Sequence, residues 1–138
     1  MTKPNQTYAY FTITGDFDPI EISRLSGVTP TECWLKGDTN PRTHIERKFS
    51  RWSLYSRLEH TRELEAHIAD VIEQLGERKD KFVDLSARFG GQLQLVGYFN
   101  TDYPGLHFER RLIESIAEYS LSLDFDFYFL YSDTREDS

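Results

Sequence analysis

Apolar and polar side chains alternate in several short stretches of the chain, and this period of two residues predicts β-strands. In the first stretch, residues 8–14, Ala9, Phe11 and Ile13 lie on one side, and tyrosine and threonine lie on the other. The short apolar run Cys33, Trp34 and Leu35 predicts a strand at residues 31–36, and the same alternation predicts further strands at residues 45–56, 92–99 and 123–131. The last of these alternates phenylalanine with aspartate and tyrosine, as expected of a half-buried strand.

A period of 3.6 residues predicts helices between these strands. The longest, over residues 61–78, has one apolar stripe made of Leu64, Ile68, Val71, Ile72 and Leu75. A shorter helix begins after Asp18, because Asp18 suits the N-cap, Pro19 the first helical position and Glu21 a capping box. Gly27 then ends it. Two more helices are predicted over residues 79–89 and 107–120, the second with Leu112, Ile113, Ile116 and Ala117 facing inward.

The element order βαββα(α)βαβ predicts one α+β domain over residues 1–138, with frayed tails at 1–7 and 133–138. About five strands should form a mixed sheet. Because crossovers between parallel strands are right-handed, the helices should lie mainly over one face of it. The two ends of the chain are similar βαβ-like units, each with an Asp- and Pro-containing turn. This likeness fits an old duplication, and it equally fits chance, since the unit is common.

Charge and composition narrow the classes of function. The 138 residues include 16 basic and 23 acidic side chains, for a net charge of −7. An acidic chain repels phosphate backbones, so we expect no nucleic-acid partner; a basic protein partner would be attracted, although acidic surfaces also simply keep proteins soluble. No stretch approaches the ~18 apolar residues of a membrane span. Cys33 is the single cysteine, which favours the reducing cytoplasm and a buried, inert thiol.

Two carboxylates on the last predicted strand are the first candidate site. Asp124 and Asp126 share one face at a spacing that suits acid–base chemistry or a divalent metal. The plainer interpretation is a polar sheet face, on which these acids form ion pairs with Arg47, Arg51 and Arg57 of the 45–56 strand.

Arginines and aromatic residues on the predicted strands form the second candidate. Arg47 and Arg51, interleaved with Tyr55, suggest either an anion-binding platform or an ion-paired face. Trp52 and Tyr128 join Tyr8, Tyr10, Tyr98 and Tyr131 as strand aromatics. If one sheet face is uncovered, this composition is that of an interface hot spot; otherwise it belongs to a two-sided core. The spacing of the histidines and the cysteine does not match that of a metal site. The sequence contains no phosphate-binding motif, so we expect no cofactor.

Three segments resemble a known family. They are Trp52-Ser53-Leu54-Tyr55-Ser56 before the long helix, Gly97-Tyr98-Phe99 with the turn Asp102-Tyr103-Pro104-Gly105, and the closing Leu123-Asp124-Phe125-Asp126-Phe127-Tyr128. Over about residues 8–131 the chain resembles the bacterial family known as domain of unknown function 4279. The resemblance implies no activity, and it carries over no catalytic residues. Small acidic cytosolic bacterial proteins of this sort include suspected immunity proteins of toxin systems, which is an analogy.

The sequence therefore favours a non-enzymatic protein-interaction module, in one form a toxin-immunity-like protein. The binding residues expected for it are Asp124, Asp126, Tyr128, Arg47, Arg51, Tyr55 and Trp52. One alternative is a small-ligand-binding protein or enzyme that uses an Asp, Arg and Trp site on a sheet face. A second alternative is a structural homodimer.

Overall fold

The elements follow one another along the chain in the predicted order. The computed structural model describes residues 4–100 and 105–130. The strands are β1 (Gln6–Gly15), β2 (Glu32–Trp34), β3 (Ser50–Tyr55), β4 (Gln92–Phe99) and β5 (Ser122–Phe129). The helices are α1 (Pro19–Ser26), α2 (Leu64–Gly76), α3 (Lys79–Phe89) and α4 (Arg110–Glu118). Most of the predicted turn before α4 (101–104), Tyr131 and the predicted tail at 133–138 lie outside the described residues.

The five strands form one mixed sheet in the order β2-β3-β1-β4-β5, which confirms the predicted α+β class. The central strand β1 is antiparallel to both β3 and β4. β2 pairs antiparallel with β3, and β5 pairs parallel with β4. Each of the connections β1-α1-β2 and β3-α2-α3-β4 therefore joins two parallel strands with a third strand between them. These are two interleaved split βαβ units, as in ferredoxin-like domains, and α4 with β5 extends them.

Both ends of the chain are βαβ units, as predicted, but they place their strands differently. β3 lies between β1 and β2, whereas β4 and β5 are direct neighbours. β1 also begins at Gln6, inside the segment expected to be frayed, because Gln6 and Thr7 pair with Tyr98 and Gly97 of β4.

β3 is shorter than the predicted strand at 45–56. Its neighbour β2 contributes only Glu32–Trp34, which pair with Ser53 to Arg51, and on the other side β1 ends at Gly15 opposite Ser50. Residues 45–49 therefore have no ladder beside them. They belong to a loop in which a single bridge joins Thr39 to Glu46.

The helices pack on one face of the sheet, around one aromatic cluster. Phe11, Trp52 and Phe82 are fully buried, and their ring centroids lie 5.5–6.0 Å apart at tilted or edge-on angles. The Trp52 indole N–H donates to Ser23 Oγ of α1 at 3.1 Å, so the buried polar atom of the tryptophan is satisfied. This cluster joins β1 and β3 of the sheet to α1 and α3.

Local signals in α1 are confirmed except for the capping box. Asp18 accepts a hydrogen bond from the N–H of Ile20, and Gly27 closes the helix with a left-handed φ of 70°. Glu21 forms an ion pair with Arg24 one turn later instead of reaching back to the N-cap.

Two expectations about burial are wrong. Ile113 and Ala117 of α4 are exposed, because the line that faces the core passes through Leu112, Ile116 and Tyr119. Cys33 is exposed as well. It lies on β2, a three-residue strand at the edge of the sheet, and a residue there has a neighbouring strand on one side only.

Gly97 makes space for two phenylalanine rings on the helix-covered face of β4. A Cβ atom at this position would lie 2.5 Å from Phe99 Cζ and 3.1 Å from Phe127 Cδ1. Both rings belong to the packing at the β4–β5 pair, where their centroids are 5.1 Å apart. Gly76, in contrast, ends α2, and the nearest atom to a Cβ there is the Tyr119 hydroxyl at 3.8 Å.

We therefore expect opposite effects of the same substitution at these two glycines. Gly97→Ala should lower the free energy of unfolding by about 1–3 kcal/mol, because it overpacks the core. Gly76→Ala should raise it by about 0.5–1 kcal/mol, because alanine favours the helix without a clash. Urea unfolding followed by circular dichroism measures both values. A neutral Gly97→Ala variant would contradict the close packing at β4.

Candidate functional site

The face of the sheet opposite the helices is lined by tyrosines on four adjacent strands. We call this face the open face, and we call these five residues the tyrosine stripe: Tyr55 of β3, Tyr8 and Tyr10 of β1, Tyr98 of β4 and Tyr128 of β5. Tyr128 is exposed, and the other four are half-buried. The stripe runs across the strands rather than along one of them.

Direct cross-strand neighbours form the stripe. Tyr10 lies opposite Tyr55, and their nearly parallel rings have centroids 4.3 Å apart. Tyr98 lies opposite Tyr128 with a centroid distance of 5.0 Å. Tyr8 lies next to the first pair, with its ring 5.9 Å from that of Tyr55 and 6.4 Å from that of Tyr10, and its strand β1 pairs with β4, which carries Tyr98. Aromatic pairs of this kind contribute about 0.5–1.5 kcal/mol each beyond the area they bury.

One end of the stripe is cationic. The Arg51 guanidinium lies 5.3 Å from the ring centroids of both Tyr10 and Trp34, and that of Arg47 lies 3.6 Å from Trp34. Arg51 also lies 3.8 Å from the carboxylate of Glu32 on β2. The arginines at this end are therefore held by aromatic faces as much as by ion pairing.

The other end is acidic. The Tyr128 hydroxyl donates to Asp126 Oδ2 at 2.9 Å, and Asp124 follows on the same face of β5, exposed. Among the described residues, no ion pair involves either carboxylate. The acidic charge at this end is thus open to a partner.

Three phenols of the stripe, those of Tyr8, Tyr55 and Tyr128, are held in the protonated form. Burial, followed by the neighbouring tyrosines, raises the pKa of Tyr8 to about 12. Burial also raises the pKa of Tyr55, and the hydrogen bond to Asp126 raises that of Tyr128. The stripe can therefore offer flat aromatic area together with neutral hydroxyl groups. It is suited to binding, since nothing in it provides an activated nucleophile.

Comparison with known proteins identifies the family. The family described as Domain of unknown function (DUF4279) matches residues 5–130, nearly the whole chain. The chain belongs to this family. The searches of curated proteins and of solved structures found no match to this chain. The resemblance noted from the sequence is therefore confirmed.

In this DUF4279 protein the residues expected from the sequence divide into three groups. Asp124, Asp126 and Tyr128 are brought together at the acidic end, whereas Arg51, Tyr55 and Arg47 lie at or near the cationic end. Trp52 is on the opposite face, fully buried in the core. Trp52 shares one side of β3 with Leu54, and that side is the one the helices cover.

The expected ion pairs between the acids of β5 and the arginines do not form in the described residues. β1 and β4 lie between β3 and β5, and three strand spacings of ~4.8 Å separate their backbones by about 14 Å. Arg57 instead binds Asp70 of α2, with Nη2 2.7 Å from Oδ1. A pocket that unites Asp124, Asp126, Arg47, Arg51 and Trp52 is therefore not present.

Trp34 lies between Arg47 and Arg51, next to the tyrosine stripe, and the sequence did not predict this position. It belongs to a three-residue edge strand, too short for an alternation pattern to identify its face. No group of three or more metal-ligating side chains could hold a metal within residues 4–100 and 105–130. In the same ranges, no helix is long and apolar enough to cross a membrane.

Two neighbouring histidines, the exposed His60 and the buried His67, adjoin the stripe at Tyr8. The His60 ring packs on Tyr8 at 4.9 Å, and His67 of α2 lies 6.4 Å from His60. His67 is fully buried, with Nδ1 2.5 Å from Ser56 Oγ and with Nε2 lacking a partner among the described residues. Burial lowers the pKa of His67, and the nearby His60 and Arg62 lower it further.

This arrangement predicts a loss of stability in mild acid. The unfolded chain binds a proton on His67 at about pH 6.5, whereas the folded chain resists it until a lower pH. The free energy of unfolding should therefore fall as the pH drops below about 6.5, by at most about 1.4 kcal/mol per pH unit. His67→Asn should remove this slope, and His60→Asn, at an exposed position, should keep most of it.

Chemical denaturation at several pH values between 5 and 7.5 measures the slope. The pH range in which His67 changes the stability is separate from the range in which Asp70 does. Burial by itself would raise the pKa of Asp70, but the hydrogen bonds and charge of Arg57 outweigh it and lower the pKa, so this carboxylate matters only in stronger acid. Equal slopes for the wild type and His67→Asn would contradict the assignment.

Proposed function

We propose that this protein is a non-enzymatic interaction module that binds a basic protein partner through the open face. The tyrosine stripe is the observation that carries the proposal. Tyrosine is enriched at the energetic centres of protein interfaces. Its side chain supplies a large contact area and a hydroxyl group, and it has few rotatable bonds, so little conformational entropy is lost on binding. Five tyrosines on four strands of an uncovered sheet face are hard to explain by core packing.

The charge of this protein indicates that the partner is basic. The net charge of −7 would steer a basic protein toward the chain, and the unpaired Asp124 and Asp126 at the end of the stripe would meet its positive groups. Stacked aromatics on a sheet also suit single-stranded nucleic acid, but such sites combine stacking with a positively charged groove. The acidic balance favours a protein.

A toxin-immunity-like role is one form of this function, in which the partner is an enzyme that binding inhibits. The bacterial cytoplasm is the proposed location. The exposed single Cys33 is compatible with a reducing compartment, since an exposed thiol would be prone to intermolecular disulfides in an oxidising one.

The test begins with purification of the tagged protein from its own host, at moderate and at high salt. We expect one stoichiometric basic partner that is lost at high salt, because charge steering is screened. With that partner purified, Tyr128→Ala should weaken its affinity by about 30-fold, the loss of one hot-spot side chain. Asp126→Ala should mainly slow association, and Tyr10→Ala should weaken binding from the centre of the stripe.

Ile20→Ala is the matched control, because Ile20 is exposed on α1, on the helix-covered side. It should leave the affinity unchanged. Thermal unfolding of each variant checks that the fold is intact. Unchanged affinity after Tyr128→Ala and Tyr10→Ala would show that the stripe is not the interface.

A further inference from the structure

β5 is the last strand at one side of the sheet. Among the described residues it has one neighbour, β4, along all eight of its positions, whereas the opposite edge strand β2 is three residues long. The N–H groups of Ser122 and Leu130 point toward β4, since they donate to Gly91 and Phe99. Because backbone groups alternate along a strand, those of Leu123, Phe125 and Phe127 point outward, away from the sheet.

The side chains flanking this edge differ on its two faces. On the helix-covered face, Leu123 is 38% exposed and Phe125 is 49% exposed. On the open face the edge carries Asp124 and Asp126. The edge therefore combines an outward row of hydrogen-bonding groups, an apolar border and an acidic border. Long edges of this kind are usually protected by charged side chains, proline or a bulge; β5 has no lysine or proline, and its charged residues are Asp124 and Asp126, which repel acidic strands and attract basic ones.

From this edge we infer that β5 binds an extended segment of the partner by strand addition, and that this segment alternates basic and apolar residues. Side chains on directly opposed positions of two strands lie on the same face, about 5 Å apart. Lysine or arginine would then lie beside Asp124 and Asp126, and the apolar residues would cover Leu123 and Phe125. The inference rests on the proposed function and specifies the chemistry of the partner.

A second copy of this chain fits the edge less well. If two β5 strands paired antiparallel about a two-fold axis and formed one continuous sheet, residues of one face would oppose residues of the same face. The two registers that pair the most residues of β5 are centred on Phe125 and on Asp126. The first sets Asp124 opposite Asp126 of the copy, and the second sets two copies of Asp126 opposite each other. Like charges directly opposite each other destabilise a strand pair. Charge complementarity therefore selects a basic strand.

The test uses fluorescent peptides of about eight residues, one strand length. One peptide alternates lysine and valine, a second has the same composition with the lysines and valines in separate blocks, and a third alternates glutamate and valine. Fluorescence anisotropy with the full chain measures affinity. We expect the alternating Lys–Val peptide to bind tightest, and we expect amide exchange to slow at Leu123, Phe125 and Phe127 when it binds.

Two matched pairs of variants separate strand pairing from simple charge attraction. Phe125→Pro and Phe125→Ala both lose the ring, but only the proline variant also loses the outward N–H. The proline variant should therefore bind the alternating Lys–Val peptide about tenfold more weakly than the alanine variant. Asp124→Asn with Asp126→Asn should weaken binding about three- to tenfold. Asp80→Asn with Glu77→Gln, exposed positions at the junction of α2 and α3 with the same charge change, should have little effect.

The inference is overturned if the block peptide binds as tightly as the alternating one, if proline and alanine at position 125 behave alike, or if no peptide binds. It is also overturned if the wild-type chain dimerises by light scattering and Phe125→Pro makes it monomeric, because the occupant is then a second copy. Tyr10→Ala lies two strands from the edge and should leave peptide binding unchanged. Peptide binding therefore tests the strand-addition inference, and the effect of Tyr10→Ala on binding of the purified partner tests the proposed function. Either one can be contradicted without the other.

Discussion

Coverage of the sheet on one face only is the constraint on which the rest of this structure depends. The right-handed crossovers place the helices on the same side, so one face of the sheet packs against the helices and the other has no helix over it. The aromatic residues divide accordingly. Phe11, Trp52 and Phe82 interlock under the helices, and the tyrosines line the uncovered side, where their hydroxyls can reach water, one another or Asp126.

Strand order then converts this sorted composition into a surface. Tyr10 and Tyr55 are far apart in the chain, as are Tyr98 and Tyr128, yet each pair is directly opposed in the sheet. The central position of β1 between β3 and β4 makes the stripe continuous. The same order separates the acids of β5 from the arginines near β2, so the surface has a cationic end and an acidic end with neutral phenols between them. Such an arrangement favours oriented binding of a partner over chemistry at one point.

The open face and the edge of β5 meet at Asp126 and Tyr128, which belong to both. A partner that places a basic strand beside β5 would therefore have its neighbouring residues close to the acidic end of the stripe. The tyrosines would supply contact area there, and the edge would supply backbone hydrogen bonds that depend little on side-chain identity. Both contributions can be tested separately, because Tyr10 lies far from the edge and the outward backbone groups of β5 lie beyond the stripe.

Local patterns determined much of this protein. The alternation over residues 92–99, the apolar stripe of α2, the Asp18–Pro19 start and the Gly27 end of α1 depend on neighbours in the chain, so each could be predicted from the sequence. The family followed from segments spread over the whole chain. What needed the tertiary structure were the features set by distant neighbours: the length of β3, the exposure of Cys33 and Ile113, the core position of Trp52 and the union of the tyrosines. Alternation shows which residues share a face of a strand. Only the pairing of strands and the packing of helices decide which face is covered and which side chains from distant segments meet, because those contacts depend on closing long loops of chain.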